Sequence, residues 1–546
     1  MADISMKKKD ENTLLTLLGQ LSKCLTCFTS WAGALVLFIN VLVVFASVIW
    51  RYALHSPIHW AEEVARALMI ALVFFGVATS TGRGGHIGVD LFLRFLPDAI
   101  RPYVVHASRW ILFLVSVGLV ISSYDLVQAA RLQTTETGLP QTIYVIPVLI
   151  GSVVMMVAAL EHALRERAKI VLLSGAGILA LAALGYLKLS LMADPASAAA
   201  GLMLICFVMG ILAGVPIAFT LGMSAMVFFI CDPSLPFVFF SQQVAAGVDH
   251  FVLLAIPFFL LAGAAMEING MSTRLVELIV RGMGRFRGGL NMTTVLSMAF
   301  FSGISGSKLA DVAAVGGVLM PAVRRAKQDG EEAAGVFAAS AVMAETIPPC
   351  VNLIVMGFVA NISIGALFIA GLVPAACLLV LLMVAANRFG GKINVSEAYP
   401  ELRPRTQLYL GAAVGLVMIF MIGRGVMMGI ATSTEISAFA VIYAIVVGRL
   451  AFRELTLKAT IKMFVDIAAM SGVLLFIVAC ATSLSYALTI QMIPQQIAEL
   501  LVGIGMEQGA WLFLILTIVI LIIFGAVLEG APALIIFAPI PVSYTH

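Results

Sequence analysis

The stretch Phe301-Ser-Gly-Ile-Ser-Gly-Ser-Lys-Leu-Ala-Asp311 departs from the apolar sequence around it. It places three serines and two glycines in the six positions from Ser302 to Ser307. An unsatisfied backbone group is costly in hydrocarbon, so a membrane helix breaks only where protein or a polar cavity receives the freed groups. The stretch therefore predicts one of two things. It is either a helix broken to bind ions and substrate, as in many secondary transporters, or a close helix–helix contact, where Gly and Ser are common.

The composition is that of a polytopic membrane protein. Of the 546 residues, 62% are hydrophobic and 11% are charged, with a mean hydropathy of +1.08. Soluble globular domains are about half apolar and about a quarter charged. The small net charge of +3 and the lack of a long basic run give no indication of nucleic-acid binding. The polar first 20 residues include Lys7, Lys8 and Lys9 and predict a cytoplasmic N-terminus, not a cleavable signal peptide.

Four apolar spans make up the first part of the chain, at about 31–49, 60–80, 103–124 and 143–160. Basic residues follow the second and fourth spans, which is the positive-inside pattern for a chain that starts in the cytoplasm. The spacing of Glu62 and Arg66 predicts an ion pair on one helix face. A fifth apolar stretch predicts a linker helix. The expected domains are therefore a four-helix small domain (1–168), a linker helix (169–196) and a large domain (197–546).

A metal site is the weaker interpretation of the polar residues near the second span. His55, His59, Glu62, Glu63 and His86 are suitable by type, but His86 is expected on the opposite side of the membrane from the others. Ion pairing at the membrane interface explains them better. We expect no transition metal and no organic cofactor.

Three short patterns recur in the same order in the large domain. Gly214–Val227 matches Gly429–Ile442 at an offset of 215 residues, and two further pairs follow at similar offsets, Phe259–Ala265 with Phe476–Thr482 and Phe301–Gly306 with Phe524–Gly530. Chance similarity between membrane segments is the alternative. The order predicts two repeats, about 197–390 and 407–546. The second ends seven residues after Pro539, which predicts a truncated C-terminal repeat.

Each repeat is expected to contribute one re-entrant hairpin and one helix broken at its middle. The hairpins are predicted at about 251–272 and 467–492, and the broken helices at about 293–321 and 511–541. Matched interrupted segments point to a transporter binding site, and repeats of inverted topology would bring all four together. The basic loops leave that topology open. The predicted fold is an all-α integral membrane protein.

The chemistry of the interrupted segments suits Na⁺, because backbone carbonyls and hydroxyls are the oxygen ligands that a hard cation prefers. No P-loop or redox motif is present, so we expect an ion gradient to drive transport. The ion-binding candidates are Ser302, Gly303, Ser305, Gly306, Ser307, Thr482, Ser483, Ser485, Glu529 and Gly530.

Charged residues inside the membrane are candidates for binding substrate. Lys308 and Asp311 are three positions apart, so they either contact an anionic substrate or form a structural ion pair. The run Ile347-Pro348-Pro349 forces a second break, which either lines the same cavity or is a simple kink. Helix N-termini opened by the breaks would favour an anionic substrate.

Motifs in both parts of the sequence resemble those of a known family. The four-span part, through Arg51-Tyr52, Trp60–Arg66 and His86–Asp90, resembles the small (Q) membrane subunit of the tripartite ATP-independent periplasmic (TRAP) transporters. The remainder resembles their large (M) subunit, through Leu254–Gly263, Ser302–Ser307, Ile347–Pro349 and Gly429–Glu435.

The resemblance implies a fused component of a bacterial inner membrane. Such a component receives a small organic acid, a carboxylate, from a periplasmic binding protein and imports it with Na⁺ by an elevator-type movement. It adds Thr432 and Ser433 to the candidate substrate-binding residues, beside Lys308, Asp311, Pro348 and Pro349. The family usually has small or hydroxyl residues where Lys308 and Asp311 stand, so the substrate side is expected to differ.

Two other functions remain as alternatives. One is a stand-alone Na⁺/dicarboxylate symporter, for which the four-span domain has no evident use. The other is an integral-membrane enzyme, which requires His, Asp or Glu clustered at a cavity, whereas the intramembrane acids here are scattered.

Overall fold

The computed structural model describes residues 2–85, 92–135, 137–166, 168–190, 195–284, 286–306, 308–389, 404–496, 499, 510–527 and 530–537. Within these residues every regular element is a helix, and one isolated antiparallel bridge joins Thr134 and Pro140. Nine of the described helices are long and apolar enough to cross a membrane. The predicted all-α integral membrane fold is confirmed.

Each of the four predicted spans of the first part is a single helix. These helices are α1 (Ala2–Tyr52), α2 (Ala61–Arg83), α3 (Arg101–Ala130) and α4 (Thr142–Leu164). The predicted linker contains a helix, α5 (Ala168–Ser190). Three further helices follow: α6 (Pro195–Leu212), α7 (Ile217–Cys231) and α8 (Val238–Ala246).

The middle of the chain consists of shorter helices joined by tight turns. A 3₁₀ turn, Phe251–Leu254, leads directly into α9. The helices are α9 (Ala255–Ile268), α10 (Met271–Met283), α11 (Gly289–Ser305), α12 (Lys308–Arg325), α13 (Gly330–Ala341), α14 (Val351–Ala360) and α15 (Ile364–Phe389). Another 3₁₀ turn, Val342–Glu345, follows α13.

The last part holds α16 (Arg405–Met427), α17 (Ser433–Val447), α18 (Leu457–Ile490), α19 (Ala510–Val527) and α20 (Gly530–Phe537). The start of α17 is a capping box. The Thr432 hydroxyl accepts a hydrogen bond from the Glu435 backbone N–H, and the Glu435 carboxylate accepts one from the Thr432 N–H. Such reciprocal bonds satisfy two donors that a helix start otherwise leaves free.

The chain divides into two compact units that are interleaved in sequence. The first comprises the described residues of Met1–Leu37, Glu62–His250 and Ala468–His546, and the second those of Phe38–Ala61 and Phe251–Ile467. The domains predicted from the sequence are contiguous, so the compact units do not follow them.

In the first unit, α3 packs against α4, α5, α7 and α8, and α6 packs against α7. Phe476 contacts both Phe74 and Phe219, with ring centroids 6.0 and 5.7 Å apart, and all three side chains are fully buried. Gly76 of α2 meets Gly472 of α18 so closely that a Cβ on Gly76 would lie 2.8 Å from the Gly472 Cα. Small residues at such crossings are typical of packed membrane helices.

In the second unit, α9 packs against α17, α10 against α16, and α11 against α15. The side-chain amide of Asn269, after α9, donates to the Ala444 carbonyl of α17 at 3.0 Å. Arg274 of α10 is paired with Glu454 at 2.6 Å and stacks 4.2 Å above the Phe452 ring. These contacts satisfy the polar groups buried between helices that are otherwise apolar.

The re-entrant hairpin predicted at 467–492 is wrong, because these residues lie almost entirely within α18, which is continuous for 34 residues. Residues 251–272 contain a 3₁₀ turn, helix α9, a turn at Asn269-Gly270 and the first two residues of α10, and the hairpin predicted there stays a prediction. The small and hydroxylated residues of α18 are accommodated without a break. Gly472 packs against Gly76, and Thr482 donates to the Val478 carbonyl one turn earlier. Back-bonding of this kind lets Thr remain inside a helix.

Candidate functional site

The helix break predicted around Ser302–Ser307 is present in the second unit. Helix α11 ends at Ser305, Gly306 has a left-handed conformation (φ 59°), and α12 begins at Lys308. A Cβ on Gly306 would lie 2.7 Å from the Pro349 carbonyl oxygen. Glycine is therefore required twice at this position, for its positive φ and for the close backbone contact.

The second predicted break lies against the first. The 3₁₀ turn Val342–Glu345 ends just before Ile347-Pro348-Pro349, and α14 starts at Val351. A Cβ added to Gly303 would lie 3.7 Å from the Ile347 side chain and 3.8 Å from the Pro348 carbonyl oxygen. Both prolines are buried. The structure thus brings together Gly303, Gly306, Pro348 and Pro349, which the sequence had offered as separate candidates.

A hydrogen bond joins the two sides of the first break. The Ser302 hydroxyl donates to Oδ2 of Asp311 at 2.8 Å, and both residues are fully buried. A carboxylate is costly to bury unless donors satisfy it. Ser302 and Asp311 were predicted as an ion ligand and a substrate ligand, and in this structure they are partners of each other.

Lys308 forms an ion pair with Glu345, its Nζ lying 2.5 Å from Oε1. The two side chains are 40% and 31% exposed. Sequence reasoning missed Glu345 and expected Asp311 as the structural partner of Lys308. A signal was available, because Glu345 is the single acidic residue in the run Ala341–Thr346, just before the two prolines.

Other candidates at the first break fall partly outside what the structure describes. Ser305 is the last residue of α11, but its side chain is not among those described, and Ser307 lies outside the described residues. Glu529, a candidate from the predicted second repeat, also lies outside them. The roles of these three residues stay predictions.

The described candidates from the predicted second repeat belong to the first unit. Thr482 is half-buried and donates to the Val478 carbonyl at 3.0 Å, and the Ser485 carbonyl accepts from Thr489 at 2.8 Å. Ser483 is fully buried, and its hydroxyl has no hydrogen-bond partner among the described residues. Gly530 is the first residue of α20. That these residues lie close to the candidates at the first break stays a prediction.

Thr432 and Ser433 lie at the start of α17, where Glu435 organises the local structure. The buried Glu435 carboxylate accepts hydrogen bonds from Arg51 at 3.1 Å, from Tyr52 at 3.3 Å and from the Thr432 hydroxyl at 3.0 Å. Thr432 already uses its hydroxyl in this network, and Ser433 is buried. The network links the family-like Arg51-Tyr52 and Gly429–Glu435 motifs.

A cavity of about 430 Å³, lined by both polar and apolar side chains, lies in the first unit between α2, α3, α4 and α8. Its charged lining residues are Glu63, Arg66 and Asp249, and Arg66 faces Asp249 at 3.6 Å. Arg66 was predicted to pair with Glu62, and its ion pair is with Asp249 instead. Burial raises the pKa of the Asp249 carboxyl, an effect that the Arg66 guanidinium opposes.

The polar groups at the breaks suit ion and anion binding better than catalysis. Hydroxyls and backbone carbonyls offer oxygen ligands to a hard cation, and the Lys308 ammonium offers a partner to a carboxylate. Among the described residues no three His, Cys, Asp or Glu side chains are grouped to bind a metal, and His86 lies outside them.

Two family models match the chain. The model described as "Tripartite ATP-independent periplasmic transporter, DctM component" covers residues 204–546, and that described as "Tripartite ATP-independent periplasmic transporters, DctQ component" covers residues 40–169. Together they cover most of the chain.

Several curated proteins are similar over most of the chain. The sialic acid TRAP transporter permease protein SiaT of Haemophilus influenzae is 24% identical over 87% of this chain and 80% of its own length. The isethionate TRAP transporter permease protein DctMQ of Oleidesulfovibrio alaskensis is 29% identical over 88% and 76%. The C4-dicarboxylate TRAP transporter large permease protein DctM of Rhodobacter capsulatus is 30% identical over 60% and 78%.

Proposed function

This chain belongs to the TRAP transporters, with their DctQ and DctM components fused in one polypeptide, and we propose that it imports a small organic acid together with Na⁺. It is a multi-pass protein of the bacterial inner membrane, and it is a transporter, not an enzyme. In this proposal a periplasmic binding protein delivers the acid, and the N-terminus lies in the cytoplasm.

The observation that carries the proposal is the pair of contacting breaks. Helix α11 ends at Ser305, Gly306 turns the chain, and the Pro348-Pro349 segment packs on that turn. Broken helices that line a common site are how secondary transporters present backbone groups to ions and substrate. Charged groups also lie at these breaks. They are the buried Asp311 carboxylate, which is bonded to Ser302, and the half-exposed ion pair of Lys308 and Glu345.

Na⁺ is proposed to bind to two separate groups of hydroxyl and carbonyl oxygens. At the first break these come from Ser302, Gly303, Ser305, Gly306 and Ser307. In the second repeat they come from Thr482, Ser483, Ser485, Glu529 and Gly530. The buried Ser483 hydroxyl, which finds no hydrogen-bond partner in the described part of the chain, supports a ligand in the second group, because an unsatisfied buried polar group costs about 1–3 kcal/mol.

The organic acid is proposed to bind at the N-terminal end of α12. The Lys308 ammonium would pair with a carboxylate, and the first backbone N–H groups of α12 favour negative charge there. Asp311, Pro348 and Pro349 would shape this site, and Thr432 and Ser433 would contribute from the start of α17. Transport would follow from an elevator-type movement of the broken helices.

The test is uptake of labelled acids into proteoliposomes containing the chain. The panel would hold a C4-dicarboxylate, sialic acid, isethionate and 2,3-diketo-L-gulonate, which are named for similar proteins. Each acid would be tried with an inward Na⁺ or choline gradient, and with and without a candidate binding protein. We expect uptake that requires both Na⁺ and the binding protein.

Two variants and one control connect uptake with the proposed ligands. Ser302→Ala and Ser483→Ala should raise the Na⁺ concentration needed for half-maximal uptake. Ser224→Ala should not, because the Ser224 hydroxyl is buried within α7 and bonded to the Thr220 carbonyl of its own helix. Uptake that needs Na⁺ alone would favour the stand-alone symporter, and uptake equal in choline would refute Na⁺ coupling.

A further inference from the structure

The ion pair between Lys308 and Glu345 spans the two breaks. Lys308 is the first residue of α12, immediately after the break at Gly306. Glu345 ends the 3₁₀ turn that precedes the Pro348-Pro349 break, 37 positions later in the chain. The pair is therefore the charged contact between two irregular segments, each of which ends one helix and precedes another.

The backbones around the pair are tightly packed. A Cβ on Gly306 would lie 2.7 Å from the Pro349 carbonyl oxygen, and the Glu345 carbonyl accepts a hydrogen bond from the Cys350 thiol at 3.0 Å. Cys350 is itself buried. The Glu345–Cys350 bond lies within the second segment, and the two segments meet directly where the Gly306 backbone approaches Pro349, apart from the ion pair.

The side chains of the pair differ in exposure from the nearby acid. The Lys308 and Glu345 side chains are 40% and 31% exposed. Asp311, in contrast, is fully buried, and its carboxylate accepts a hydrogen bond from the Ser302 hydroxyl. A dissolved anion can therefore approach the Lys308 ammonium, while Asp311 is shielded from it. Half-exposed ion pairs are also weak, because water solvates both partners once they separate.

We propose that Glu345 is the resting counter-ion of Lys308, and that the carboxylate of the transported acid displaces it when the acid binds. This inference rests on the proposed function, since it assumes that the acid binds at Lys308. The exchange replaces one ammonium–carboxylate pair by another, so the positive charge is paired in both states. Glu345 is then a specificity-determining residue, because a neutral analogue of the acid has no charge with which to displace it.

The proposal is tested by equilibrium binding of labelled acids to the purified full-length chain. Succinate, sialic acid and 2,3-diketo-L-gulonate would be the probes, with succinamide as the neutral comparison. In Glu345→Gln the competing charge is gone while the side-chain shape is kept. We expect the dissociation constant for the acids to fall about two- to five-fold, the range that a partly exposed ion pair supplies, with no change for succinamide.

Two further variants keep the test decisive. Lys308→Gln should weaken binding of the acids at least ten-fold, since a charge-assisted bond is lost. Glu345→Asp keeps the charge but shortens the side chain, so its dissociation constant should lie between those of wild type and Glu345→Gln. Glu331→Gln, an exposed acid in the first turn of α13, is the matched control and should bind like wild type.

The outcomes separate this inference from the proposed function. Tighter binding in Glu345→Gln supports the exchange, even if Na⁺-driven uptake is never seen and the proposed function fails. Unchanged or weaker binding in Glu345→Gln, or no measurable binding of any acid to wild type, overturns the exchange. If Glu345→Gln does not fold, a dissociation constant for Glu345→Asp at or above the wild-type value also overturns it.

Discussion

At the scale of single residues, Gly306 is the position where a small change should matter most. A Gly306→Ala side chain would meet a left-handed backbone (φ 59°) and the Pro349 carbonyl at 2.7 Å. The backbone strain costs about 1–2 kcal/mol and the overpacking about 1–3 kcal/mol. We expect a lower apparent melting temperature in detergent and strongly reduced acid uptake.

Gly317 provides the matched control for Gly306. It lies inside α12, and a Cβ there would meet nothing within 4 Å. Gly317→Ala should therefore leave uptake unchanged and stabilise the helix by about 0.5–1 kcal/mol. Equal losses in both variants would mean that the break at Gly306 has no special role.

Glu435 is the second residue whose removal has a defined consequence. Its carboxylate accepts hydrogen bonds from Arg51, Tyr52 and Thr432 while almost fully buried. In Glu435→Gln one oxygen becomes an amide donor facing other donors, so we expect a loss of about 1–3 kcal/mol in stability. Thermal unfolding of Glu435→Gln beside the exposed control Glu331→Gln measures it. A melting temperature equal to that of the control would show that the network contributes little.

At the scale of elements, the crossing of α2 and α18 depends on two glycines. A Cβ on Gly472 would lie 2.6 Å from the Gly76 carbonyl carbon, so Gly76→Ala and Gly472→Ala should each push the helices apart. Overpacking of this size costs about 1–3 kcal/mol. Because either substitution already separates the helices, the double variant should lose less stability than the sum of the two single losses.

Melting temperatures of the two single variants and the double variant test this coupling. Gly201→Ala on α6 is the control, since a Cβ there meets nothing within 4 Å. Strictly additive losses would contradict a shared contact between Gly76 and Gly472.

The elements also explain what the sequence predicted and what it did not. The breaks at Gly306 and Pro348-Pro349 were predictable, because a dense Gly/Ser run and a double proline act on their own backbone. The break predicted in α18 was wrong, because the same kind of residue also serves close packing. Gly472 is matched by Gly76, 396 positions earlier, and no local pattern reveals that partner. Glu345 stood out locally as the single acid before the two prolines, but nothing in that run shows that its partner is Lys308, 37 positions earlier.

At the scale of the whole molecule, the distribution of basic residues predicts which side of the membrane each connection faces. Arg83, Arg94 and Arg101 lie in or beside the connection from α2 to α3, at the opposite end of α2 from the connection after α1. The positive-inside rule assigns the α2–α3 connection to the cytoplasm and residues 53–60 to the periplasm.

Chemical labelling of single cysteines in cells measures this orientation. In a background with the exposed Cys24, Cys27 and Cys377 changed to Ser, Ser56→Cys and Asp98→Cys place thiols at exposed positions of the two connections. A membrane-impermeant maleimide, added to cells with a permeabilised outer membrane, should label Ser56→Cys directly. Asp98→Cys should be labelled only after the inner membrane is opened. The reverse pattern would place the N-terminus in the periplasm. It would also turn the Glu63–Arg66–Asp249 cavity, at the start of α2, away from any periplasmic binding protein.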